Sequence, residues 1–111
     1  MAWPVRSQVI AAIKQTSITA NTRYWSANVG SGEVWLIKDV AVYNDLSTAR
    51  VFYLVVERSS VEYIVGQSSI AGFAVLNTRQ MSVVMTAGDR YGIFCTSGTA
   101  GFTFHASGAK L

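Results

Sequence analysis

A chain of 111 residues, half of them apolar and 14% charged with a net charge of +3, has room for one hydrophobic core and not two. Abundant aromatic and β-branched residues exclude a disordered polyelectrolyte, and an even scatter of nine Lys/Arg and six Asp/Glu gives little footing for nucleic-acid or lipid attraction. The longest apolar run, residues 51–56, falls far short of the ~20 residues of a membrane-crossing helix, and the strands are too few and short to close a transmembrane barrel.

In chain order, residues 1–17 read as an amino-terminal arm and 18–111 as the folded domain. Met1 to Gln8 hold no cationic start followed by an apolar stretch, so no secretory signal is visible and synthesis and retention in a cytoplasm are expected. Pro4 suits a first helical turn, and Val5, Val9, Ala12 and Ile13 then share one side. Residues 3–14 are therefore expected to form a short helix or an ordered arm, with Trp3 and Ile10 too apolar for a free tail.

From residue 23 the pattern changes to short β-rich runs at 23–29, 33–43, 50–57, 61–65, 71–76, 81–85, 91–96 and 101–106, separated by Gly, Asn, Asp and Ser. This spacing predicts an all-β antiparallel sandwich or barrel of about eight strands. In the last run Phe102, Phe104 and Ala106 alternate with Thr103, His105 and Ser107, so one face is expected inside and one outside. In residues 34–43 both parities are apolar, and residues 51–56 have no polar face at all. Such strands are expected to be covered on both sides, by the opposite sheet and by another subunit.

Catalytic chemistry is hard to assemble. With one His (His105) and one Cys (Cys95), no metal-ligand spacing exists. Cys95 cannot form an internal disulfide, which agrees with a reducing compartment, and is expected to be a packed structural thiol. Ser, His105 and Asp39, Asp45 or Asp89 could be drawn as a triad, but no Gly-x-Ser-x-Gly elbow supports one. Glu57 and Glu62 flank a turn and could face each other, as paired glycosidase carboxylates do. With Arg58 beside them, a cross-strand charge network is the simpler expectation. Asp39, set in an apolar strand, needs a partner such as Lys38, Arg50 or a backbone amide. No enzyme activity, metal or cofactor is expected.

The segment Glu33-Val34-Trp35-Leu36-Ile37-Lys38-Asp39-Val40-Ala41-Val42-Tyr43-Asn44 resembles small jelly-roll-like β-sandwich virion proteins of tailed bacteriophages. Val75-Leu76-Asn77-Thr78-Arg79-Gln80-Met81-Ser82-Val83 follows their later pattern with Arg79 where that pattern has Gly, and Ser107-Gly108-Ala109-Lys110-Leu111 matches their closing strand. The likeness spans roughly residues 30–111. It implies a jelly-roll fold and a capsid decoration or minor tail protein, made in the host bacterial cytoplasm and located in the virion. Its partners would be copies of itself, in a homo-oligomer such as a trimer, and other virion proteins, with no nucleic acid or membrane. Trp3, Val9 and Ile13 in the arm, with Trp35 and Phe52 on the surplus apolar strands, are the expected contacts. The rival expectation is a carbohydrate-binding or lectin-like receptor protein with Tyr24 and Trp25 as the sugar platform.

Overall fold

Nine β-strands and no helix make up the regular structure of the computed structural model, which describes residues 8–78, 83–98 and 100–111. They are β1 (Gln8–Gln15), β2 (Tyr24–Trp25), β3 (Val34–Asn44), β4 (Arg50–Arg58), β5 (Val61–Ile70), β6 (Val75–Thr78), β7 (Val83–Thr86), β8 (Arg90–Cys95) and β9 (Phe102–Lys110). All pairings are antiparallel, in two sheets. The first has the order β1-β9-β3-β6, with β7 also on β3; the second has the order β2-β8-β4-β5. The all-β expectation is thus met.

The sheets pack face to face through alternating apolar residues. Phe52 of β4 meets Phe102 of β9 edge-on at 6.0 Å, and Tyr91 of β8 stacks on Phe104 of β9 at 5.4 Å between ring centroids. Ile37, Val40, Val42, Met85 and Ile93 fill the space between them, essentially without exposure. Each such side chain removed from water contributes about 1.5–3 kcal/mol before conformational entropy is charged against it.

β3 explains why its sequence looked apolar on both sides. A β-bulge between Ile37 and Asp39 shifts the register against β9 by one residue, and the extra residue reverses which parity faces inward. Trp35 and Ile37 are buried before the bulge, and Val40, Val42 and Asn44 after it. The inward face is therefore written in two parities, while Val34, Leu36, Ala41 and Tyr43 remain half-buried on the outward side. Gly108 sits against this bulge, where a Cβ would overlap the Leu36 carbonyl oxygen, so β9 approaches β3 only with glycine there.

The expected amino-terminal helix is not found over residues 8–14. These residues form β1, in register with β9 from Gln8 opposite Gly108 to Gln15 opposite Phe102. The apolar run 9–13 fits either period, and pairing decides: β1 satisfies a ladder of β9 main-chain groups that a helix would leave open. Trp3 and Pro4 lie outside the described residues.

Two turns also differ from expectation. β5 continues through Gly66-Gln67-Ser68-Ser69, with Val65 bulging out of register against β4. The next strand starts at Val75, after a turn in which Phe73 adopts φ +51°. Ser59 and Ser60, both at positive φ, form the two-residue β4–β5 connection, a left-handed geometry more often given to Asn-Gly.

Candidate interaction surfaces

The outward face of the second sheet is covered by the chain's own aromatic and guanidinium groups. Phe94 and Tyr53, on adjacent strands, stack at 4.8 Å with an 8° interplanar angle. Arg23 lies over Phe94 at 3.7 Å from the ring centre and reaches Glu62 at 3.1 Å. Arg90 lies 4.2 Å from the Trp25 ring and is bidentate with Glu57, at 2.9 and 3.1 Å. Val55, whose neighbours across the ladders are Gly92 and Ile64, is fully buried on this side. On the outer side of residues 51–56 the chain thus encloses Val55 by itself, while Val51 and Tyr53 stay half-buried.

This layer settles the carboxylate pair. Glu57 and Glu62 do face each other across the hairpin, yet each is held by its own arginine, Arg90 and Arg23. Arg58 is not part of that network. It turns to Asp89, with Nη2 2.7 Å from Oδ2.

Asp89 is the most deeply buried charged residue among those described. Its carboxylate is 2% exposed and accepts from Arg58 and from the Thr86 amide at 2.9 Å. The Arg58 hydrogen bond, helped by Thr86, holds the Asp89 carboxyl below its ordinary range despite burial, and the same contact raises Arg58. Asn44 is a second internal clamp, fully buried. Its Nδ2 donates to the Thr48, Ile70 and Ala71 carbonyls, and its Oδ1 accepts from the Leu46 amide and Arg50 Nε. Arg50 Nη2 also bonds the Gly101 carbonyl at 2.6 Å. Asp39 is half-buried at the β3 bulge, on the side away from the core.

The expected contact residues divide. Trp35 is 4% exposed and Phe52 2%, both within the core cluster, so neither can supply a subunit interface. The bulge accounts for Trp35, and inward alternation with Leu54 and Val56 accounts for Phe52. Trp35 keeps a buried Nε1–H with no acceptor among the described residues, and Lys110 Nζ lies 5.3 Å from its ring. Ile13 is likewise a core residue, opposite Phe104. Val9 alone remains outside, at 59% exposure, and Trp3 lies beyond the described residues.

The sugar platform is not assembled as expected. Tyr24 points inward: its ring meets Phe102 edge-on at 5.7 Å and its hydroxyl accepts from the Thr19 amide. Trp25 faces outward but lies across Gly92, where a Cβ would strike the indole, with Arg90 against the ring. Cys95 is buried, 3.6 Å from the Ser97 hydroxyl. His105 is exposed on the outer side of β9. Asp89 is engaged with Arg58, and the described residues contain no group of three or more metal-ligating side chains.

Apart from Val9, which was an expected contact residue, the exposed apolar side chains lie at other positions. Val9, Val75 and Val84 (54–59%) stand on the outward face of the first sheet. Val61, Tyr63 and Ile64 (49–59%) stand on β5 at the hairpin end. Phe73 is 60% exposed at its strained turn. A cleft of about 350 Å³ lined by Val56, Arg58, Tyr63, Val65, Val83 and Val84 opens between β5 and β7. Among the described residues the arrangement offers apolar and main-chain contacts. Compared with the models of known protein families and with curated proteins, the chain matches none.

Proposed function

We propose that this chain is a non-enzymatic structural protein of a tailed-bacteriophage virion. It works by binding: copies to one another as a homo-oligomer, and these to other proteins of the capsid, as a decoration protein, or of the tail, as a minor tail protein. The observation that carries this reading is the set of large apolar side chains left in water, Val9, Val61, Tyr63, Ile64, Val75 and Val84 among them. Contiguous apolar exposure is the usual mark of protein–protein contact, and Val61, Tyr63 and Ile64 lie together on β5. The titratable groups on the second sheet, by contrast, are taken up by internal pairs.

The strand order adds support for the jelly-roll class implied by the resemblance. If β6 and β7 are counted as one interrupted strand on β3, the pairs β1–β9, β2–β8, β3–β6/β7 and β4–β5 are nested around the central hairpin. A long hairpin folded over on itself into two four-stranded sheets has that pairing, and jelly rolls are common in capsid proteins. Quantitative mass spectrometry of gradient-purified particles tests the role. The chain is expected at a fixed multiple of the symmetry-related copy number; its absence from intact particles would contradict it.

A further inference from the structure

We propose that the free edge of β5 is a pairing site for a second copy of this chain, joined antiparallel about a two-fold axis into a continuous sheet. This deepens the assembly reading and names the surface that performs it. β5 ends the sheet β2-β8-β4-β5, so the main-chain N–H and C=O groups on its outer side pair with no described strand. Unpaired groups of this kind are a template for another strand, and natural sheets usually blunt them with short strands, lysines, prolines or bulges.

The other edges are blunted. β2 has two residues, β6 and β7 have four each, and β1 is broken by a bulge between Val9 and Ala11 and carries Lys14. β5 is different: it has ten residues, no Lys, Arg or Pro, and one charge, Glu62, already held by Arg23. Its own bulge at Val65 leaves two pairable stretches, Val61–Ile64 and Gly66–Ile70. Val61, Tyr63 and Ile64, each about half exposed, flank the first.

For a second copy, the charges favour the antiparallel orientation. Antiparallel pairing about the middle of β5 keeps the two Glu62 residues most of a strand apart, whereas parallel pairing would set like charge against like. The same edge then serves both subunits, which closes the assembly at two. A strand edge of about 33 Å with flanking side chains ~15 Å tall buries roughly 500 Å² per partner, about 1,000 Å² in all, the lower bound for a specific interface.

Light scattering across micromolar to millimolar concentrations, combined with amide hydrogen exchange, tests the proposal on the full chain. The mass is expected to rise from one chain to two, and the free-side amides of Val61–Ile70 to slow in exchange over the same range. Ile64→Lys, which sets a lysine on the edge at an exposed site, is expected to weaken dimerisation at least tenfold with the melting temperature unchanged. A single chain at millimolar concentration would overturn the pairing. So would a trimer, or a dimer whose β5 amides exchange as in the monomer, and the exchange result holds even if the variant fails to fold. Each of these leaves detection of the chain in particles untouched, so the two readings fail separately.

Discussion

At the scale of residues, the polar groups inside this protein are structural clamps. Asn44 uses one side chain to tie three carbonyls, one amide and a guanidinium at the junction of β3, β4 and β5. Its place at the end of β3 has a physical reason, because no apolar residue could satisfy those groups. Asp89 does the same at the opposite end, joining Arg58 to the β7–β8 turn. Since its folded carboxyl titrates below the unfolded value, its contribution is complete above the ordinary carboxylate range and is lost as pH falls through the depressed folded value. Asp89→Asn is therefore expected to cost about 1–2 kcal/mol at neutral pH. Its thermal melts should show a weaker acid dependence than wild type, converging with it only once the pH has fallen below the depressed folded value of Asp89. Parallel melting curves from pH 7 to pH 2 would show that Asp89 carries no such linkage.

At the scale of elements, alternation was legible where strands are regular and misleading where they bulge. The inward set Phe102, Phe104 and Ala106 could be read directly, and each is buried. The β3 bulge could not, because one inserted residue is invisible to a count of parities, and Trp35 was consequently assigned to the outside. The outer cover of β4 was illegible for another reason: Arg23, Trp25 and Arg90 come from distant parts of the chain and meet only through pairing of β2 and β8. β1 shows the same limit, since a five-residue apolar run takes its form from the edge it meets. Removing residues 1–14 strips most of β1 from β9 and takes Ile13 from the core. Loss of that side chain alone is worth ~2–5 kcal/mol, against a typical domain total of about 5–15 kcal/mol. The truncated chain is expected to melt at least 10 °C lower or to lose cooperative unfolding. An unchanged melting temperature would make β1 an appendage.

At the scale of the whole molecule, the two sheets enclose more of their apolar surface than the sequence alone suggests, and what stays in water is displaced to the margins. The core hides Trp35 and Phe52, whereas Val9, Val75 and Val84 on one face and Val61, Tyr63 and Ile64 on one edge remain open. Assembly through these positions, and not through the central strands, is what this distribution favours, because only exposed apolar area gains from a partner. Two of the ion pairs, Arg23–Glu62 and Arg90–Glu57, fix the outer layer of the second sheet, and the third, Arg58–Asp89, ties the end of β4 to the β7–β8 turn. The most direct measurement is a density map of an intact particle at a resolution that shows side chains. The account predicts this chain in symmetric contact with its neighbours, with Val61, Tyr63 and Ile64 or Val9, Val75 and Val84 at the buried centres of those contacts. A particle without the chain, or one in which all six side chains still face solvent, would contradict it.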